Sequence, residues 1–207
     1  EAIGDQRGMA HFLTNLGAVH QHLQNIDEAV RMYQRALPVA ESMRNLHVKG
    51  VTLMNLGEIH LKRGKLDTAM DNFTAGAAIM QEINDRRNLA QVLMWQGITH
   101  IHLGDTASSR TALFSALEIA REVQASPTVL VVLFGVSIYA LETDDKDRAI
   151  DLLKMVAEHP ATEHGFRDLA IQTLSDYGIT PADPNPDATT ALDSVVFAQL
   201  AALKHES

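Results

Sequence analysis

Leu53, Leu56, Gly57 and His60 share one helical face, because steps of three and four residues return to it at about 100° per residue. The same pattern recurs forty residues upstream as Leu13, Leu16, Gly17 and His20, and forty downstream as Leu93, Gln96, Gly97 and His100. Other columns keep the period: Ala29, Ala69, Ser109 and Ala149; Tyr33, Phe73, Leu113 and Leu153; Gly64 and Gly104. A repeat of this length cannot bury its apolar face alone, so successive copies are expected to stack.

The columns divide the chain into four repeats over 8–158, at 8–44, 48–84, 88–124 and 128–158, each a pair of helices. Short polar residues mark the turns, as in Gln24-Asn25-Ile26-Asp27 and Arg63-Gly64-Lys65. Gly64 and Gly104 fall where a left-handed cap ends a helix. Pro127 fits a first helical turn. Interior glycines at 17, 57 and 97 together disfavour their helices by about 3 kcal/mol relative to alanine. Close approach of the partner helix is the expected compensation, with Ala69 as the matching small surface of the second repeat.

Outside the repeats, Gly4-Asp5-Gln6-Arg7 corresponds to the junction Asn84-Asp85-Arg86-Arg87, so residues 1–7 are expected to be a chain start or the tail of a preceding repeat. A further helix is expected over 159–178, a Pro- and Asp-containing linker over 179–188, and a capping helix over 189–204.

Charge and composition narrow the chemistry. Acidic residues outnumber basic ones 26 to 17, for a net charge of −9, and no Lys/Arg cluster tracks phosphates, which argues against direct nucleic-acid binding. The absence of cysteine excludes a disulfide framework and fits the cytoplasm, where the chain is expected; no long uncharged apolar run points to a membrane. Nucleophile elbows, phosphate loops and dinucleotide fingerprints are all missing, so neither catalysis nor a cofactor is expected. His20, His60 and His100 recur in register, but equivalent residues of stacked repeats lie about 10 Å apart, too far for one metal. They are read as packed, hydrogen-bonded spacers. His159-Pro160-Ala161-Thr162-Glu163-His164 has one residue too many for a zinc motif and a proline within it.

The columns Gly57, Gly64, Ala69, Phe73 and, with a departure, Gly76 resemble the tetratricopeptide repeat, in a long forty-residue variety. The resemblance covers about residues 8–158 and implies an all-α, right-handed superhelical solenoid of antiparallel helix pairs with C-terminal capping helices. It implies a non-catalytic scaffold that binds a protein or peptide. The run His159-Pro160-Ala161-Thr162 with Arg167, Ala170 and Leu174 is similar to the end of repeat arrays in bacterial STAND-type regulators. That similarity implies a sensor or partner-binding region acting on an upstream ATPase module in cis; a self-contained adaptor for an extended peptide is the alternative.

In this family the face about 140° from the core face lines a concave groove. Here it carries Asn15; Met54, Asn55, Glu58 and Lys62; Met94, Trp95, Ile98 and His102; and Phe134. Asn15 and Asn55 match an asparagine that holds a peptide backbone in long tetratricopeptide adaptors, an amide being both donor and acceptor; pairing with the neighbouring repeat is the other reading. Trp95 is either a groove hot spot or a filler between helices. Met54 and Met94 offer an adaptable lining or ordinary core. Lys62 alone does not make the carboxylate clamp of chaperone-tail binders.

Overall fold

A computed structural model describes residues 2–182 and 192–205. Among them lie ten helices and no strand: α1 (Ala2–His22), α2 (Ile26–Ser42), α3 (Leu46–Lys62), α4 (Leu66–Glu82), α5 (Arg86–His102), α6 (Thr106–Val123), α7 (Ser126–Glu142), α8 (Lys146–Glu158), α9 (His164–Asp176) and α10 (Leu192–His205). The protein is all-α, built from helix pairs as the repeat pattern requires. Helix α1 runs unbroken through 4–7, where the sequence pattern places a junction. Of the expected linker, 179–182 is non-helical; its remainder, 183–188, and the start expected for the capping helix, 189–191, lie outside the described residues.

The chain forms two compact units, Glu1–Val92 and Leu93–Ser207. In the first, α1 packs on α2, α2 on α3 and α3 on α4. The second helix of the first pair, α2, buries Ala29, Met32, Tyr33, Ala36 and Ala40, a stripe at three- and four-residue spacing. Leu13 joins Met32 and Ala36 on one side, while Leu56 and Ile59 close over Ala29 and Tyr33 on the other. Thr14 and Thr52 share a buried hydrogen bond of 2.9 Å between α1 and α3.

The glycine columns prove to be notches for rings. A β-carbon on Gly17 would lie 2.5 Å from Tyr33 Cε1, and one on Gly57 would lie 2.5 Å from Phe73 Cε1. In the second unit Gly97 receives Leu113 in the same way, at 2.8 Å from Cγ. The expected partner of Gly57 was Ala69; the side chain that fills the notch is Phe73, one helical turn further on. Small-to-small contact of α3 and α4 occurs instead at Gly76, whose missing β-carbon would stand 3.5 Å from the Gly50 carbonyl.

Every turn within and between the pairs uses one device. Gln24, Arg44, Gly64, Asn84, Gly104, Gln124 and Asp144, twenty residues apart, all have positive φ. In six of these turns the following amide reaches back to close the cap, as in Asn25 N to His20 O at 2.8 Å and Lys65 N to His60 O at 2.9 Å. Only two of the seven are glycine, so sequence alone exposes the rule at Gly64 and Gly104 and hides it elsewhere. Asn45, Asp85, Asp105 and Asp145 then cap the next helix by accepting from Val48, Asn88, Ser108 and Arg148 amides.

In the second unit α7 is apolar on every side, and it is enclosed by α6, α8, α9 and α10. Helix α10 lays Val196, Leu200 and Leu203 inward, and Arg148 Nε donates to Gln199 Oε1 at 2.6 Å. Arg167 ties α9 to the end of α8 by donating to the Ala157 and His159 carbonyls at 3.2 and 2.9 Å.

Candidate binding surface

The residues expected to line a groove fall into two groups, one in each unit. In the first unit Asn15 and Lys62 are exposed, and Asn55 and Glu58 are half-buried. Lys62 Nζ donates to Glu58 Oε1 at 2.7 Å, one turn apart on α3. Ala18 and His22, on the same side of α1 as Asn15, are exposed as well. Met54, by contrast, is buried beside the close approach of Gly76 to the α3 backbone, so it belongs to the α3–α4 contact.

Asn55 has a partner inside the repeats. Its side chain hydrogen-bonds the Tyr33 hydroxyl, which also donates to Gln21 Oε1 at 3.0 Å. Burial pushes the Tyr33 hydroxyl well above its usual pKa; the nearby Glu58 carboxylate adds to the effect and the Asn55 hydrogen bond opposes it. Asn55 therefore satisfies a buried phenol of the neighbouring repeat, while Asn15 has its side chain in solvent.

In the second unit Met94, Trp95, Ile98 and Phe134 are all buried, which departs from their expected place on a ligand-facing surface; His102 is exposed. The physical reason is Phe166 of α9. Its ring centroid lies 5.8 Å from Trp95 and 5.8 Å from Phe134, tilted 33° on the first and edge-on at 62° to the second. Met94 packs against Gly135, where a β-carbon would strike its Cγ. What the sequence pattern presents as an apolar groove end is thus core, covered by a helix of the same chain. Phe166, Ala170 and Leu174, the buried stripe of α9, could have been found from their four-residue spacing, but not the surface they cover.

The histidine column is packed but not hydrogen-bonded throughout. His20 Nδ1 and His60 Nδ1 are buried with no hydrogen-bond partner among the described residues, whereas His100 Nδ1 stands 3.8 Å from Asp105 Oδ2. Burial, with help from Lys65 and Arg63, lowers the His60 pKa. Among the described residues no group of three His, Asp or Glu side chains could hold a metal, and no helix is long and apolar enough to cross a membrane.

Comparison with known proteins agrees with the helix pairs. Residues 8–82 match the model of the tetratricopeptide repeat, and residues 96–144 match that of anaphase-promoting complex subunit 5. No curated protein matches the chain. The first match falls on paired helices with glycine notches and small-residue columns, and so agrees with tetratricopeptide repeats over residues 8–82.

Proposed function

We propose that the chain is a non-catalytic scaffold that binds a protein or peptide on the polar face of α1 and α3. Tetratricopeptide repeats in general mediate protein–protein interaction. The observation that carries the reading is the exposed row Asn15, Ala18 and His22 on α1 beside Lys62 and Glu58 on α3. It offers amide, imidazole and both charge signs to a chain laid across it, without a buried nucleophile or paired acids that would do chemistry. A peptide library displayed against the full chain tests this. Asn15→Ala and Lys62→Glu are each expected to weaken a captured peptide about tenfold, roughly 1.4 kcal/mol, with helix content unchanged. Equal affinity of both variants and the parent would sink the groove.

Within this reading the chain serves as the sensor or partner-binding region of a larger signalling regulator in the cytoplasm, with an ATPase module in cis. The support is the resemblance of His159-Pro160-Ala161-Thr162 and Arg167 to the end of such arrays, together with the bonds by which Arg167 holds this segment. The intact mass of the native protein decides between that and a self-contained adaptor: a mass far above 22.7 kDa favours the regulator, one near it the adaptor.

A further inference from the structure

The corner between α8 and α9 departs from the turns before it. Those turns, at residues 24, 44, 64, 84, 104, 124 and 144, place a positive φ at the helix end. At this corner His159 is extended instead, with φ −73° and ψ 130°. A left-handed cap brings backbone amides to the last carbonyls of a helix, and here a side chain reaches them. Arg167, in the first turn of α9, donates to the Ala157 and His159 carbonyls at 3.2 and 2.9 Å and approaches that of Pro160 at 3.5 Å. The residue before it, Phe166, is the one whose ring lies 5.8 Å from both Trp95 and Phe134. One side chain anchors α9 and its neighbour seals the aromatic cluster.

His159 belongs to the same corner. Its Nδ1 accepts from the Ala161 N–H at 3.1 Å, a bond that requires the ring proton to sit on Nε2. A proton on Nδ1 removes that acceptor and sets a second positive charge beside the guanidinium. Burial first, and Arg167 second, hold the His159 pKa below its ordinary value. Lys154 and Glu158 on α8, and Glu163, His164 and Asp168 on α9, are the other titratable groups near the corner. Glu158 Oε1 is engaged by the Ala182 N–H at 2.9 Å. Helix α7 has one formal charge, Glu142, and its position next to the turn into α8 puts it at the start of α8 and away from His159. Thr162 Oγ1 is buried without a hydrogen-bond partner among the described residues, a cost of the closed corner that opening relieves.

We propose that α9 is an acid-released cover: a proton taken up by His159 weakens the Arg167 anchor, and Phe166 withdraws from Trp95 and Phe134 to bare an aromatic surface. All of these residues lie in the second unit, so the cover stands or falls apart from the polar face of α1 and α3.

Hydrogen–deuterium exchange of the full chain reads even a small open fraction, because protected amides exchange from the open form. At about pH 5.5, peptides from 164–176 are expected to exchange at least about threefold faster in the parent than in His159→Asn, and at about pH 7.5 equally fast. Asparagine keeps an acceptor near the place of Nδ1 and takes up no proton. Arg167→Lys, which keeps the charge and loses the planar fork, should speed exchange of α9 at both pH values while α7 keeps the parent's rate. Equal exchange of α9 in the parent and His159→Asn at the lower pH overturns the proposal, as does an Arg167→Lys protein whose α9 exchanges no faster than the parent's. Acceleration over α7 that matches the one over α9 overturns it as well, since the whole unit would then be opening.

Discussion

Two glycines on facing helices of one repeat answer to opposite physics. At Gly57 an added β-carbon would lie 2.5 Å from the buried ring of Phe73, whereas at Gly76 the nearest atom would be the Gly50 carbonyl at 3.5 Å, an ordinary contact. Replacing an interior helical glycine by alanine gains about 1 kcal/mol of helix propensity, and overpacking a core loses about 1–3 kcal/mol. Urea unfolding should therefore find Gly57→Ala destabilised by about 1–2 kcal/mol and Gly76→Ala stabilised by up to about 1 kcal/mol. A gain at Gly57 would mean that the ring does not sit in the notch. The forty-residue spacing made the glycines visible in the sequence, but the residue that fills the notch was not, because Ala69 and Phe73 lie on the same side of α4 one turn apart. Only the packed pair distinguishes them.

At the scale of elements, the turns and α9 carry what the hydrophobic pattern left out. Gln124 adopts φ of +52° at the end of α6, a conformation that penalises a β-carbon. Gln124→Gly is expected to raise stability by about 0.5–1 kcal/mol, seen as a higher melting temperature; a fall would show that its side chain contributes more than the backbone gains. Five of the seven periodic caps carry side chains, so glycine was an incomplete guide to turns that share a positive φ. Phe166 is the element-scale counterpart. Wedged against Trp95 and Phe134, it should cost about 3–5 kcal/mol when changed to alanine, with the Trp95 fluorescence moving to longer wavelength as water reaches the indole. An unmoved spectrum would place Trp95 against something other than α9. Helical arithmetic expected Trp95, Phe134 and Ile98 on a ligand-facing side, whereas all three are buried, because spacing along one helix does not count how many further helices cover it.

For the whole molecule, pH is a common readout of both units. His60 in the first and His159 in the second have lowered pKa values, each from burial first, with Lys65 and Arg63 adding at His60 and Arg167 at His159. A histidine whose folded pKa lies below the ordinary 6.5 stabilises the fold above that value. Its contribution is lost as pH falls through the folded value, because the unfolded chain takes up the proton first. The melting temperature is accordingly expected to fall on going from about pH 7 to about pH 5, and His60→Gln should shrink that fall. An undiminished fall in the variant would assign the acid sensitivity elsewhere.

The sequence by itself determined the helix pairs, their forty-residue period, the small-residue and aromatic columns and the absence of recognisable catalytic motifs, because these follow from local spacing and residue type. Tertiary structure decided which faces of those helices remain open. Phe12 and Val19 are as apolar as the buried residues in their columns, and Trp95 stands in the same column as exposed Asn15. Exposure belongs to the neighbours a helix acquires on folding, and those neighbours cannot be read from its own spacing.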